Sequence, residues 1–344
     1  MEANTLLSQL QLKKPIFLAG MAGGVTSPQL VASVCNEGGF GQIGAGYMTP
    51  ETLAKDIDEI RTLTEKPFGV NLFIPEHPEV KQEEIVQMNQ ILEPINEKLD
   101  CKPVNEVNID DIFDQMIEVV INKEVEVMSF TFGKPDQDLV QRLHEHHISV
   151  VGTGTNIEEV RELESVGVDA IVLQGCEAGG HSGSFEQSLP KERLTLDQLF
   201  KQVHSKVSVP LIVAGGITTP EQAKDYIEQG ATAVQLGTAF LTTVESGTPD
   251  VHKSLILKAK SEDIIFTNTF SGRYANGIKN EFINYVGQFK DKICAYPIQN
   301  ILTQPLRGKS KKAQNPDYMS LWCGTHPEGA RDETVAELMQ RYKI

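Results

Sequence analysis

This chain has no cysteine pair at metal-binding spacing, no excess of basic charge and no apolar run long enough to cross a bilayer. Its five cysteines, Cys35, Cys101, Cys176, Cys294 and Cys323, are odd in number and scattered. That excludes a disulfide framework and a cysteine-built zinc site, no metal being expected, and it fits reduced thiols. Lys and Arg number 31 against 47 Asp and Glu, a net charge of −16. So acidic a surface opposes non-specific binding to nucleic acid or anionic membranes, which requires positive charge. Met1–Lys14 lacks the basic start and apolar core of a secretory signal. The expectation is a cytoplasmic protein without nucleic-acid or membrane partners. The one basic run, Arg307–Lys312, reads in this context as a solvated linker.

What is present is a full complement of apolar residues, 40% of 344, arranged in short runs. Strands are predicted at Pro15–Leu18, Phe40–Ile43, Phe68–Leu72, Val125–Phe130, Ile148–Val151, Ala170–Leu173, Leu211–Ala214 and Ala233–Leu236. Amphipathic segments lie between most of them. Ser27-Pro28, Thr49-Pro50 and Thr219-Pro220 each place a hydroxyl N-cap before a proline in the first helical turn. Gly38, Gly167 and Gly230 fall where helix ends need a left-handed residue. Eight strands alternating with helices imply parallel pairing through right-handed crossovers. The predicted fold is α/β, a (β/α)8 TIM-type barrel, with a doubly wound open sheet as its competitor. Residues 1–244, completed by 315–344, form the barrel in this reading, and 245–314 a smaller, mainly helical second domain. Glu76–Asp114 is a charged elaboration after the third strand.

The chemistry concentrates where the sixth strand ends, at Gln174-Gly175-Cys176-Glu177-Ala178-Gly179-Gly180-His181-Ser182-Gly183. Glycines here let backbone N–H groups approach a ligand, and His181 is the one side chain able to titrate near neutrality. Two further strands end in glycine, at Gly215-Gly216 and at Gln235-Leu236-Gly237-Thr238. Loops after the seventh and eighth strands of such barrels often hold phosphate, and Cβ atoms would obstruct the inward N–H groups. Thr238 adds a hydroxyl and is expected to cap a helix beginning at Ala239. A phosphate anchor beside a bare loop fits a planar phosphorylated cofactor such as FMN. Gly20-Met21-Ala22 would support the ring, and the amides of Asn71 and Gln174 suit a pyrimidine edge. Several residues keep two readings. Met21 is also a core filler, Glu177 an acid–base group or a loop brace, and Arg273 an attractor of anionic substrate or a surface charge. Cys176 is a weak nucleophile candidate, and His144-Glu145-His146-His147 reads as a solvated helix end rather than a metal cluster.

The motif series Pro15–Gly23, Gly69–Phe73, Ser129–Gly133, Glu177–Gly183, Ala214–Ile217, Gln235–Phe240 and Phe270–Arg273 resembles that of the nitronate monooxygenases, formerly 2-nitropropane dioxygenases. The resemblance runs in order from Pro15 to Asn280. It implies that Asn71, Gln174, Gly179, Gly216 and Gln235–Thr238 contact FMN and that His181 is catalytic. Our own reading adds Met21, Gly180 and Gly215 to the cofactor set. The implied reaction is oxidation of an alkyl nitronate, such as propionate 3-nitronate, or of a nitroalkane by O2. The products are a carbonyl compound and nitrite, which detoxifies the substrate. In that reaction neutral His181 would take the α-proton of a nitroalkane, and protonated His181 would hold the charge of a nitronate. FMN-dependent enoyl-acyl-carrier-protein reductases, which use NADH, share most of these motifs and are the alternative. A flavin-binding protein without turnover is a third. Cys323-Gly324-Thr325-His326-Pro327 departs from the Ala-Gly-Gln-Gly run that the family carries after Trp322. The sequence leaves the oligomeric state open, a homodimer included.

Overall fold

The computed structural model describes Leu6, Leu10 and residues 12–109, 111–186 and 192–343. Most of Met1–Lys14, read above for a leader, lies outside the described residues. Eleven strands follow in chain order: β1 (Ile16–Leu18), β2 (Gln42–Gly44), β3 (Gly69–Phe73), β4 (Val127–Thr131), β5 (Ser149–Gly154), β6 (Ala170–Gln174), β7 (Gly180–His181), β8 (Leu211–Ala214), β9 (Ala233–Leu236), β10 (Ile264–Thr267) and β11 (Ala275–Ile278). Eight of them pair in parallel in the order β1-β9-β8-β6-β5-β4-β3-β2. A parallel bridge from Phe17 to Phe40 joins the two edges and nearly closes the sheet into a TIM barrel.

Local chemistry sets the helices between the strands. Ser27 Oγ accepts from Leu30 N, Thr49 Oγ1 from Thr52 N and Thr219 Oγ1 from Gln222 N, each next to a proline in the first turn. Thr219 and Gln222 complete a reciprocal capping box. The outer faces of the strands and the inner faces of the helices share one large apolar cluster. Inside the barrel the lower layer is apolar, with Phe17, Phe40, Val127, Val151, Val172 and Ala233 fully or almost fully buried. Two residues further along the same strands the inward positions become polar: Gln42, Ser129, Thr153, Gln174 and Gln235. Period-two alternation therefore gives one face two functions, a packed plug below and a polar floor above.

A second core lies beside the barrel mouth. Ile85, Met88, Leu92 and Ile95 of the helix Gln82–Leu99 pack with Phe270, Phe282, Val286, Ile298, Leu302 and Leu306. The charged segment after β3 thus contributes half of an apolar interface, although its solvent face dominates its composition. The sequence reading missed β10 and β11, an antiparallel hairpin extended by β7 in the register Ala275–His181 and Asn276–Gly180. β7 has two residues and β11 reads Ala-Asn-Gly-Ile, so neither offers an apolar run, whereas β10 does carry one in Ile264-Ile265-Phe266 and was passed over.

The linker assigned to Arg307–Lys312 is corrected: the run is the last part of the helix Ile298–Lys312. Leu302 and Leu306 bury one side of that helix, and Arg307 bonds back to Asn300, so tertiary packing holds a segment whose composition reads as solvated. No described helix is long and apolar enough to cross a membrane.

Candidate active site

The strand C-termini open into a cavity of about 520 Å³. Every position selected for cofactor or catalysis lines it: Met21, Asn71, Gln174, Gly179, Gly180, His181, Gly215, Gly216, Gln235, Leu236, Gly237 and Thr238. These residues come from five strand ends, brought together because a barrel directs all its strand C-termini to one rim.

Hydrogen bonds tie the polar floor into one chain. Gln42 Nε2 donates to Leu18 O at 2.9 Å and to Gln235 Oε1 at 3.1 Å. Ser129 Oγ donates to Gln42 Oε1 at 2.7 Å, and Asn71 Nδ2 donates to Ser129 Oγ at 2.9 Å and to Thr131 Oγ1 at 3.1 Å. The chain ends on Asn71 Oδ1, which is buried and has no partner. A buried acceptor left open costs free energy unless a ligand supplies a donor. Gly20 lies against Asn71, where a Cβ would come within 2.5 Å of the Asn71 Cβ, so only glycine leaves both room and a flat backbone. Gln174 is committed otherwise: its Nε2 donates to His181 O at 3.3 Å and its Oε1 accepts from Gly183 N at 2.6 Å. It braces the histidine loop while still lining the cavity.

At the opposite end, Gly215 and Gly216 hold φ angles of +107° and +69°, which side-chain-bearing residues avoid. Among the described residues, no backbone carbonyl takes the N–H groups of Gly216, Gly237 or Thr238. Free N–H groups at two glycines and a threonine on the cavity wall fit an oxyanion ligand. The cap expected of Thr238 is corrected. Gly237 is the N-cap, the helix begins at Thr238, and Thr238 Oγ1 accepts from Gly324 N at 2.9 Å. The divergent segment after Trp322 thereby packs on the glycine-rich end of the cavity, and Thr325 N donates to Glu177 O.

His181 sits on β7, outside the barrel sheet. Asn276 on β11 fixes the loop below it, Nδ2 donating to Cys176 O and Ala178 O at 2.8 Å each. The imidazole lies among the rings of Phe132, Tyr296 and Trp322, at centroid distances of 5.7, 6.5 and 5.2 Å. Its Nε2 is 2.7 Å from Ser271 Oγ. Burial, aided by the positive charges of Arg273 and Arg307, pushes its pKa down to about 3, so the ring is neutral at ordinary pH. The protonated form, one of the two expected of this ring, is thereby disfavoured, and the cations near it are Arg273 and Arg307.

Arg307 is one such cation. It lines the cavity, and its Nε donates to Thr303 Oγ1 and its Nη2 to Asn300 O and Oδ1. Among the described residues it has no carboxylate partner. Tyr47, itself 39% exposed, hydrogen-bonds Tyr296 beside it, and burial raises the Tyr296 phenol. Arg273 is neither substrate attractor nor surface charge: it is 2% exposed and paired with Glu76. Glu177 is a brace, its carboxylate accepting from Leu196 N at 3.0 Å. His144 is bound to Asp169 on the surface, and no metal-binding cluster exists among the described residues.

Sequence reasoning did not select Gln42, Tyr47, Ser129, Phe132, Ser271, Tyr296, Arg307 or Trp322 for the site. Gln42 and Ser129 carried a usable signal, a polar residue near the end of an apolar strand. Tyr47, Phe132, Arg307 and Trp322 reach the cavity from loops or from a helix that composition disguised, and Ser271 and Tyr296 stand behind His181.

The fold and site define a TIM-barrel class whose strand C-termini open into one cavity lined by glycine-ended loops, an amide floor and one histidine. A sequence profile described as nitronate monooxygenase matches residues 4–342. A probable nitronate monooxygenase of Staphylococcus haemolyticus (strain JCSC1435) is 38% identical over 341 residues, covering 98% of this chain and 95% of that one. Nitroalkane oxidase from Streptomyces ansochromogenes superposes with a TM-score of 0.92 at 36% identity, over 98% of this chain and 96% of that one. FabK from Thermotoga maritima is more distant, with a TM-score of 0.76 and 25% identity over 99% and 95% of the two chains. The chain belongs to the nitronate monooxygenase family, a family of flavin oxidoreductases.

Proposed function

We propose that this protein is a nitronate monooxygenase that holds FMN and oxidises alkyl nitronates with O2 to a carbonyl compound and nitrite, a detoxifying reaction. The observation that carries this reading is the convergence of the glycine-ended strands, the amide floor and His181 on one cavity. The unpartnered Asn71 Oδ1 and the free N–H groups at Gly216, Gly237 and Thr238 fit a ring with donors at one end and a phosphate at the other. Gly179, Gly180, Gly215, Gln235 and Leu236 would complete the cradle, with Met21 and Gln174 at its sides. When bound, FMN supplies the electron acceptor.

The chain's own residues do the rest. Arg307, lacking a counter-charge, draws an anionic nitronate into the cavity. It also suits a second anionic group on the substrate, as in propionate 3-nitronate. Phe132, Tyr296 and Trp322 exclude water and hold the substrate chain. With Nε2 of His181 engaged by Ser271, Nδ1 is the nitrogen left. Bare, when Nε2–H donates to Ser271, it can take the α-proton of a nitroalkane, and in the other tautomer, with Ser271 donating to Nε2, it can donate to a nitronate. A neutral ring with a pKa near 3 is a weak base, which favours the preformed nitronate as substrate. The NADH-dependent reductase alternative is not favoured, because the likeness to FabK is the more distant one. Anaerobic addition of propionate 3-nitronate to the yellow protein should bleach the flavin absorbance, and NADH should not. Bleaching by NADH alone would replace this reading with the reductase.

A further inference from the structure

We propose that Arg273 is a positioning residue for His181: its guanidinium pins the loop that follows the histidine and stands as a fixed positive charge behind the imidazole. The inference rests on the reading of His181 as the group that meets substrate. Four observations converge on Arg273. Its Nε donates to Glu76 Oε1 at 2.6 Å, and its Nη1 donates to Ser184 O at 2.8 Å and to Glu186 O at 3.4 Å. Nη2 reaches Phe185 O at 3.5 Å, so one buried fork spans three successive carbonyls just after His181 and Ser182. The guanidinium carbon stands 4.2 Å from the centroid of Phe132, the ring that flanks His181 edge-on. Phe132 itself holds φ at +76°, a strained value for a side-chain-bearing residue that only its surroundings can maintain.

The backbone of Arg273 acts on the other side of the ring. Its N–H donates to Ser271 Oγ at 3.2 Å and its carbonyl accepts from that hydroxyl at 3.1 Å. Ser271 is thereby set toward His181 Nε2. Glu159 reinforces the same loop from the barrel side, accepting from Ser184 Oγ at 2.8 Å and Phe185 N at 2.9 Å. His181 is thus fixed through the loop after it, the ring beside it and the hydroxyl at its nitrogen, and Arg273 touches all three. Only a planar fork with five donors can serve this many acceptors at once.

The electrostatic part follows from the same placement. The groups that face His181 are the guanidinium groups of Arg273 and Arg307, the Ser271 hydroxyl, the Tyr296 phenol paired with Tyr47, and the rings of Phe132 and Trp322. Glu76 stands behind Arg273 and partly cancels its charge. Removing Arg273 should therefore raise the pKa of the imidazole, and removing the charge of Glu76 should not.

The test uses the flavin-loaded protein as Arg273→Gln, Arg273→Lys and Glu76→Gln variants, with thermal midpoint and flavin content recorded for each. The imidazole of His181 is titrated by NMR of ring-labelled histidine, assigned by its loss in His181→Gln. Arg273→Gln should raise the His181 midpoint by at least about one pH unit. It should lower kcat about 100-fold with little change in KM, the mark of a misplaced reacting group. Arg273→Lys should keep the low midpoint and recover only part of kcat. An unchanged midpoint in Arg273→Gln, or a kcat that merely follows thermal stability, would overturn the proposal. Should Arg273→Gln fail to fold, Glu76→Gln decides: a midpoint at or below that of the parent supports the proposal, and a raised one overturns it. The titration does not depend on turnover, so a failure of His181 as the substrate-facing group would show separately, as unchanged turnover in His181→Ala.

Discussion

At one end of the cavity, around Gly215, Gly216, Gly237 and Thr238, the chain offers main-chain N–H groups and one hydroxyl. At the other, around His181, Tyr47, Tyr296 and Arg307, it offers rings and a cation. The first end lies at the ends of the barrel strands and needs glycine, because Gly215 and Gly216 hold positive φ and a Cβ there would press on Ala178 and Glu177. The second is assembled from β7, from β11 and from the helix Ile298–Lys312, and needs particular side chains held by a second core. Under the proposed function, binding and chemistry would draw on different physical resources, backbone geometry at one end and side-chain placement at the other. Substitutions at the two ends should separate flavin retention from turnover.

The largest separation is expected from His181→Ala. Steady-state turnover of a nitroalkane should fall by about 10²–10⁴, the range of a positioned proton-transfer group, while the flavin spectrum stays that of the parent. Gly216→Val should do the reverse. Its Cβ would stand 3.0 Å from the Glu177 Cβ at a φ of +69° and crowd the oxyanion end. Flavin affinity measured by fluorescence quenching should drop roughly 100-fold, with the His181 titration unmoved. Arg307→Met should raise KM for propionate 3-nitronate about tenfold and for ethylnitronate much less. Equal effects on both substrates would show that Arg307 reads only the nitronate charge.

A last effect concerns pH. His181 and His252 have pKa values of about 3 and about 4 when folded, both lowered chiefly by burial. The unfolded chain binds protons on these rings at higher pH than the folded chain, so stability is complete above the unfolded pKa near 6.5 and declines as pH falls toward 3. Each ring contributes a slope of up to about 1.4 kcal/mol per pH unit in that window. Denaturant midpoints of the parent should fall between pH 7 and pH 5 more steeply than those of His252→Gln. Identical slopes would show that His252 is charged in the fold.

The barrel was legible because its signals are local. Apolar runs such as Ala170–Leu173 and Leu211–Ala214 announce buried parallel strands, and Ser27-Pro28, Thr49-Pro50 and Thr219-Pro220 mark where helices begin. The glycine end was legible for the same reason, since a glycine is informative by what it lacks. The substrate end was not. Arg307 lies in a basic run that reads as solvated, yet Leu302 and Leu306 draw its helix against Ile85 and Met88, more than 200 residues away in the chain. Arg273 carried no sign of its partner, because Glu76 sits 197 positions earlier in a segment whose composition is that of an exposed insertion.

The sequence by itself determined the order of strands and helices, the glycine positions that only a bare backbone satisfies, and the single histidine in the loop after the sixth strand. Tertiary structure alone decided that His181 is neutral, that Arg273 is a buried brace and that Arg307 is a cation facing the cavity. Backbone conformation follows from near neighbours, whereas the charge state and role of an ionisable side chain depend on desolvation and on partners that only folding brings within a few ångströms.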